Sequence, residues 1–318
     1  MEISVVIPTY NGAQRVPAVL DRLRSQITPT PLPWEVIVVD NNSHDDTAAV
    51  VRHYQATWRD DVPLRYVFEP RQGLAYARQC GVDQAQGALV GFLDDDNWPQ
   101  PDWIAEAVAF AHNAPTVGAY GGKTQAAFDE EPEIPIQAIA KFLALQDYGP
   151  KPYRFQPERQ ILPAGAGLVV RREAWLACIP RQLVRVSQGG DDYELSLRLA
   201  KHGWEIYYNP KMVIQHHIPK ARLERDYLVK LTHGYGLCTC DLMMIDVPLW
   251  QQPGLLTKFF LGTLKRLAQH QIKFRHHPAD LAAQCYLSFH LGNLKSPFRY
   301  VMRSLSSQFD ALRKTTAP

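Results

Sequence analysis

Three consecutive carboxylates, Asp94, Asp95 and Asp96, directly follow an apolar run that ends at Leu93. In an extended chain the first and third side chains of such a triplet point the same way, so Asp94 and Asp96 can share one cation. In proteins Mg²⁺ takes one or two carboxylates together with phosphate oxygens of a substrate. A solvated turn or a helix cap uses the same residues, so the spacing alone leaves both interpretations open.

A second acidic pair, Asp191 and Asp192, follows two glycines and opens a segment with helical spacing. A carboxylate in the first turn of a helix is stabilised by the helix dipole, which makes a cap the simple interpretation. An enzyme that transfers a group to an alcohol also needs a general base beside the hydroxyl. Asp192 is the candidate for that base.

Other polar side chains are candidates for ligand contacts. His216 follows a short apolar run, and an imidazole can complete a cation site or serve a structural role. Asp40 ends another apolar run, where it can accept hydrogen bonds from a nucleobase or ribose or simply form a turn. Arg71 and Arg78 lie just before and within a predicted helix, where they can meet a diphosphate or neutralise nearby acids.

These residues follow predicted strands in a regular alternation of elements. We predict strands at Ile3–Ile7, Glu35–Val39, Leu64–Phe68 and Ala88–Leu93, and helices at Val16–Gln26, 43–54, Leu74–Gln84 and Asp102–His112. Strand and helix units of about 30 residues predict an α/β fold with a mostly parallel central sheet and helices on both faces. Ligands bind beyond the carboxyl ends of the strands in such sheets, and the acidic triplet lies at one of those ends.

The rest of the chain is less regular up to about residue 190. A helix is predicted at Asp191–His202, and short strands at Trp204–Tyr208 and Met212–Ile214. Beyond residue 220 the spacing is helical, for example at Leu255–Ile272. We therefore expect a mainly helical C-terminal extension over 220–318.

Charge is distributed unevenly over the 318 residues. The net charge of +2 is the sum of −6 over residues 1–219 and +8 over residues 220–318. The second range contains 14 Lys and Arg residues and only 6 Asp and Glu residues. A basic C-terminal part predicts an anionic partner, such as a membrane surface, a phosphate-bearing substrate or a protein. Five cysteines without paired spacing support neither a disulfide framework nor a zinc site, and we expect Cys238 and Cys240 to be buried thiols.

Neither a signal peptide nor a membrane span is predicted. The first residues lack a basic segment followed by a long apolar core, and no run of 18 uncharged apolar residues occurs. We therefore expect a cytoplasmic protein. Peripheral contact with the inner face of the plasma membrane is compatible with that location and stays open.

The order of the motifs resembles the family 2 glycosyltransferases, whose catalytic domain has the GT-A fold. The resemblance covers Ile3 to about Pro219, two thirds of the chain. It rests on five segments that occur in the family's order: Val5–Asn11, Glu35–Ser43, Gly73–Arg78, Phe92–Asp96 and Asp191–Leu195. It implies a catalytic domain at 1–219, with a nucleotide-sugar-binding half at about 1–112 and an acceptor-binding half at about 113–219. The C-terminal part is similar to that of cyanobacterial exopolysaccharide glycosyltransferases.

The resemblance also implies roles for individual residues. Asp192 and Asp191 form the catalytic pair, with Asp191 standing where the family usually has Glu. Asp96, Asp94 and His216 bind Mn²⁺ or Mg²⁺. The nucleotide-binding residues are Pro8, Thr9, Tyr10, Asn11, Asp40, Asn42, Arg71, Gly73, Arg78, Asp94 and Asp95.

The reaction implied is a single inverting displacement. A sugar moves from a nucleoside diphosphate sugar, with uridine diphosphate expected, to a hydroxyl of a saccharide or lipid-linked acceptor in polysaccharide or glycoconjugate synthesis. The cation neutralises the leaving diphosphate. No nucleic-acid partner is expected.

Other protein classes fit the sequence less well. A nucleotidyltransferase needs a Gly-rich basic loop after the first strand, and a dinucleotide-dependent oxidoreductase needs GxGxxG there; the chain has Pro8-Thr9-Tyr10-Asn11 instead. The acids at 94, 96 and 192 count against a non-catalytic carbohydrate-binding or nucleotide-binding protein. For the C-terminal extension two alternatives stay open, namely contact with a membrane surface and packing over the acceptor cleft.

Overall fold

A computed structural model describes residues 1–29, 31–132, 135–157, 163–181, 191–275 and 280–315. These residues fall into two compact units. The first comprises the described residues of Met1–Glu130, Leu143–Leu183 and Asp191–Ile218, and the second comprises those of Glu131–Phe142 and Pro219–Pro318.

The first unit is built on one mixed sheet. Its strands are β1 Ile3–Thr9, β2 Trp34–Asp40, β3 Leu64–Phe68, β4 Leu89–Phe92, β5 Asn97–Pro99, β6 Val117–Phe128, β7 Tyr153–Arg154, β8 Val169–Arg171 and β9 Glu205–Ile218. Within the described residues the order is β3-β2-β1-β4-β8-β6-β9-β5, with β7 also paired to β9. The predicted α/β fold class is confirmed. The parallel pairs are β3-β2, β2-β1, β1-β4 and β6-β9, and the remaining pairs are antiparallel.

The helices of this unit cover the sheet. They are α1 Val16–Arg24, α2 Thr47–Ala56, α3 Leu74–Gln84, α4 Trp103–Asn113, α5 Arg172–Cys178 and α6 Asp191–Lys201. Every residue of β1 and β2 is buried, which explains why their sequences are continuous Val and Ile runs and not alternating ones. Large side chains from the helices, such as Leu20 and Trp103, complete the core on one face.

The end of the sheet differs from the prediction. The two short strands expected at Trp204–Tyr208 and Met212–Ile214 are one strand, β9, and its parallel partner β6 was not predicted. The register shifts between Gly122 and Lys123 of β6, so β9 bulges around Pro210 and continues. Gly122 makes this bulge possible, since a Cβ there would lie 1.7 Å from the carbonyl oxygen of Met212. In the sequence alone, Asn209-Pro210 looks like a chain reversal.

The second unit confirms the predicted helical C-terminal region. Its helices are α7 Arg225–Met243, α8 Gln252–Phe274 and α9 Leu281–Thr315. Helices α7 and α9 approach closely at Gly236 and Gly292, where an added Cβ would lie within 2.3 Å of backbone on the facing helix. Cys238 and Cys240 are buried free thiols, as expected. Among the helices described, none combines the length and apolar character that crossing a bilayer requires.

Candidate active site

The carboxyl ends of β1, β2 and β4 meet at one edge of the sheet, and hydrogen bonds join the polar residues that follow them. Thr9 and Asp40 are partners in the parallel register of β1 and β2. The Asn41 amide donates to the Thr9 carbonyl oxygen at 2.8 Å. The Thr9 hydroxyl donates to Asp95 Oδ2 at 2.6 Å, which connects this pair to the acidic triplet after β4. The edge therefore brings together residues from three separate motifs.

Asp95 is held by the protein itself. Arg15 donates from Nε to Asp95 Oδ1 at 2.8 Å and from Nη2 to Asp95 Oδ2 at 2.9 Å. This hydrogen-bonded contact raises the pKa of Arg15 against the opposing effect of its partial burial. Glycine at position 12 provides the space for the Thr9 side chain, because a Cβ there would lie 1.9 Å from the Thr9 hydroxyl oxygen. Sequence reasoning missed Arg15, and the only available signal was a basic residue shortly after the first strand.

Asp40 is also paired within the protein. Its carboxylate is buried and accepts from the Tyr66 hydroxyl at 2.7 Å and from the Ser43 amide at 2.9 Å. The pKa of Tyr66 is raised to about 12, mainly by partial burial of the phenol and secondly by its hydrogen bond to Asp40. Two hydrogen-bond donors make the buried Asp40 carboxylate tolerable, and they also fix its orientation at the edge of the sheet.

Asn41 organises the loop that contains Arg71 and Gly73. Its Nδ2 donates to the Arg71 carbonyl oxygen at 2.7 Å, and its Oδ1 accepts from the Gly73 amide at 2.7 Å. Gly73 has φ of 138°, a conformation that suits glycine, and α3 starts immediately after it. The Arg71 guanidinium makes a bidentate contact with Glu69, with both distances 2.8 Å.

The loops after β1 and β2 are joined through Asn11. The Asn11 amide donates to Ser43 Oγ, and Asn11 Oδ1 accepts from the His44 amide, both at 2.9 Å. Asn11 and Asn42 adopt left-handed conformations with φ of 49° and 64°, which asparagine tolerates better than most residues. Pro8 is buried, whereas Tyr10 is exposed beside His44.

Arg78 and Asp94 form a loose pair. The Arg78 side chain is only 6% exposed, and its Nη2 lies 3.5 Å from Asp94 Oδ1. The Nε of Arg78 is buried and has no hydrogen-bond partner among the described residues. Burial, with Asp95 and Asp96 nearby, raises the pKa of Asp94, although Arg78 and His216 oppose the shift. A buried guanidinium with an unused N–H is suited to a further anion.

Asp96 and His216 lie together at the junction of β5 and β9. His216 Nδ1 lies 3.0 Å from the Leu143 carbonyl oxygen, and His216 Nε2 lies 3.6 Å from Asp96 Oδ2. A carbonyl oxygen only accepts, so Nδ1 carries the hydrogen and Nε2 faces the carboxylate. Metal-binding histidines commonly have their second nitrogen oriented by a carbonyl in this way.

Asp192 faces the same region from the start of α6. Its Oδ2 accepts from the Gly165 amide at 2.6 Å, and its Oδ1 accepts from the Tyr193 amide at 3.0 Å. A Cβ on Gly165 would lie 2.8 Å from Arg78 Nη2 and 3.1 Å from the Cβ of Asp192. Gly165, another residue that sequence reasoning missed, therefore lets Asp192 and Arg78 approach each other. The side chain of Asp191, and the two glycines before it, lie outside the described part of the chain.

The donor set around Asp96 fits a divalent cation that binds together with a ligand. Among the residues described, no three His, Cys, Asp or Glu side chains lie close enough to hold a metal by themselves. Asp96 and His216 do provide one hard oxygen and one oriented imidazole nitrogen. Phosphate oxygens are the usual further ligands of Mg²⁺ in such sites.

The family model for glycosyl transferase family 2 matches residues 4–174, just over half of the chain. The chain belongs to glycosyl transferase family 2. The matched range contains the strand-edge residues from Thr9 to Gly165, whereas Asp192 and His216 lie beyond it.

Relatives of this family-2 chain have names that describe sugar transfer. Glycosyltransferase AglE of Haloferax volcanii is 35% identical over 107 residues, which are 34% of either chain. A glucosyl-dolichyl phosphate glucuronosyltransferase of the same organism is 24% identical over 253 residues, 76% of this chain and 78% of the relative. The chain spans about a third or less of the length of several other curated relatives that it matches.

A solved structure has the same fold. The mannosyltransferase PcManGT from Pyrobaculum calidifontis, in complex with GDP-Man and Mn²⁺, superposes with a TM-score of 0.62 over 94% of this chain and 87% of that chain. The two sequences are 20% identical. The comparison agrees with the GT-A architecture of the mixed sheet.

Proposed function

We propose that the protein transfers a sugar from a nucleoside diphosphate sugar to a hydroxyl of a saccharide or lipid-linked acceptor, with inversion at the anomeric carbon. The observation that carries the proposal is that Asp192 and Arg78 meet at Gly165, with Asp94 Oδ1 3.5 Å from Arg78 Nη2. Membership of family 2 supports sugar transfer. The name of the dolichyl phosphate relative supports a lipid-linked acceptor.

The donor nucleotide would lie along the ends of β1 and β2. Asp40 is fixed there by two donors, and each of its oxygens retains a lone pair for a ribose or base group. Asn11 and Asn42 would shape the loops beside it, and Tyr10 is exposed for contact with the nucleoside. Uridine diphosphate remains our prediction for the donor.

Asp96 and His216 would hold the divalent cation, with Asp94 beside them. When bound, Mn²⁺ or Mg²⁺ supplies positive charge that stabilises the departing diphosphate. Arg78 would add a second positive charge from the protein, and its unused Nε–H would find an acceptor in a phosphate oxygen.

Asp192 would act as the general base. Its two backbone hydrogen bonds fix the direction of the carboxylate, and the remaining lone pairs stay available to receive a proton. The acceptor hydroxyl would lose its proton to Asp192 as its oxygen bonds to the anomeric carbon. The bond between that carbon and the diphosphate oxygen breaks in the same step, so one displacement inverts the configuration.

A donor screen tests this function. Purified protein is incubated with Mn²⁺, a panel of nucleotide sugars and simple acceptors, and the released nucleoside diphosphate is measured with and without chelator. We expect metal-dependent release from one donor. Release that chelator leaves unchanged would contradict the cation site, and an absence of both release and donor binding across the panel would contradict the transferase function.

A further inference from the structure

The C-terminal helices expose apolar side chains at helical spacing. On α9 these are Leu291, Phe298, Met302 and Leu305, and Phe298 and Met302 are 63% and 68% exposed. On α8 they are Leu261, Leu264 and Ile272, and Ile272 is 73% exposed. Positions separated by three, four, seven, eight or eleven residues lie on one side of a helix, so each helix has an exposed apolar stripe.

The two stripes belong to one helical hairpin. The rings of Phe260 and Phe298 meet edge to face with centroids 5.7 Å apart. Near the other end of the hairpin, the rings of His270 and His290 lie 5.9 Å apart. The helices therefore run antiparallel. Trp250, which is 80% exposed, lies just before α8.

The charged side chains of α8, and those of α9 before Asp310, are all positive, although buried Asp241 of α7 pairs with Arg303 of α9. Helix α8 contains Lys258, Lys265, Arg266 and Lys273 and no Asp or Glu, and α9 contains no acid before Asp310. A face with exposed Leu, Phe and Trp side chains among Lys and Arg matches the boundary of an anionic bilayer, where apolar groups insert and cations meet lipid phosphates. A twofold contact between two copies would instead place the same basic face against itself.

We propose that the α8–α9 hairpin, together with Trp250, binds the surface of an anionic lipid bilayer. The exposed side chains of the two stripes insert below the headgroups, and the lysines of α8 contact lipid phosphates. This binding needs neither donor nor acceptor, so it is independent of the proposed transferase activity. In that arrangement the protein stays at a surface where lipid-linked acceptors are found.

Vesicle flotation of the full chain tests the proposal. Vesicles of phosphatidylcholine alone and with 30% phosphatidylglycerol are compared at about 0.15 M salt, where surface charges act over roughly 8 Å. We expect binding that requires the anionic lipid. The double variant K265Q/K273Q should bind about 25-fold more weakly, because each basic residue near such a surface contributes roughly fivefold in affinity.

Apolar insertion is tested with the double variant F298S/M302S. It should lose vesicle binding, whereas the control Ile27→Ser, which changes an exposed residue of the first unit, should bind normally. All variants change exposed side chains, and circular dichroism checks that each is folded. Equal binding of F298S/M302S and wild type, or no binding of wild type to anionic vesicles, would overturn the proposal. A dimer in solution that F298S/M302S abolishes would assign the face to a second copy and would also overturn it.

Discussion

Two pairs of carboxylates at the same sheet edge are held in different ways. Asp40 and Asp95 accept hydrogen bonds at 2.6–2.9 Å from tyrosine, threonine, arginine and backbone groups of the protein. Asp96 Oδ1 also accepts from the Asn97 side-chain amide at 3.0 Å, but the contacts of Asp94 and Asp96 with their basic neighbours are longer, at 3.5 and 3.6 Å. We propose from these distances to the basic side chains that the first pair shapes the sheet edge and that the second pair meets a ligand.

The largest expected effect is at the proposed base. Asp192→Asn keeps the shape of the side chain and removes its ability to take a proton, so transfer should fall about 10²–10⁴-fold. Donor affinity, measured by calorimetry, should change little, since the substitution leaves Asp94 and Asp96 intact. Unchanged turnover would contradict the role of Asp192.

A large effect is also expected at the cation pair. Asp96→Asn or His216→Ala should raise the Mn²⁺ concentration needed for half-maximal activity by at least about 10-fold, because even outer-shell partners of metal ligands are worth 10–100-fold. The matched control is His217→Ala, which changes the neighbouring imidazole that faces Asp129. Similar Mn²⁺ dependence in all three variants and wild type would show that the cation binds elsewhere.

A moderate effect should separate Asp95 from Asp94. Asp95→Asn leaves Arg15 without its bidentate partner and should lower the free energy of unfolding by about 1 kcal/mol, a modest value because Arg15 is 40% exposed. Asp94→Asn should lower the free energy of unfolding by less than Asp95→Asn does, and it should weaken donor binding by more. Thermal denaturation measures the stability of the two variants, and calorimetry measures their donor affinity. A larger loss of stability in Asp94→Asn than in Asp95→Asn would contradict this prediction.

The smallest effect is expected at the phenol that supports Asp40. Tyr66→Phe removes one hydrogen bond to a buried carboxylate and should cost about 1 kcal/mol or less of stability, with a small loss of nucleotide affinity. Tyr10→Phe, at an exposed tyrosine, is the matched control for stability. Equal melting temperatures for Tyr66→Phe and wild type would show that Asp40 does not depend on this bond.

Sequence patterns predicted the first half of the sheet well, because continuous β-branched runs and helical spacing arise from local packing. Helix α3, for example, has the bounds that the pattern predicts. The pairing of β6 with β9 was not predictable from such patterns, because it depends on a bulge opposite Gly122. Arg15 and Gly165 were missed for a similar reason, since their importance arises only from side chains that are distant in sequence.

The most direct test of the contrast between the two carboxylate pairs is the binding of Mn²⁺, followed by electron paramagnetic resonance of the free ion. Wild-type protein and Asp96→Asn are titrated alone, with uridine diphosphate and with guanosine diphosphate. We predict weak Mn²⁺ binding by the protein alone, binding at least about 10-fold tighter with one of the nucleotides, and loss of that gain in Asp96→Asn. Binding of Mn²⁺ that no nucleotide strengthens, or a gain that persists in Asp96→Asn, would contradict it.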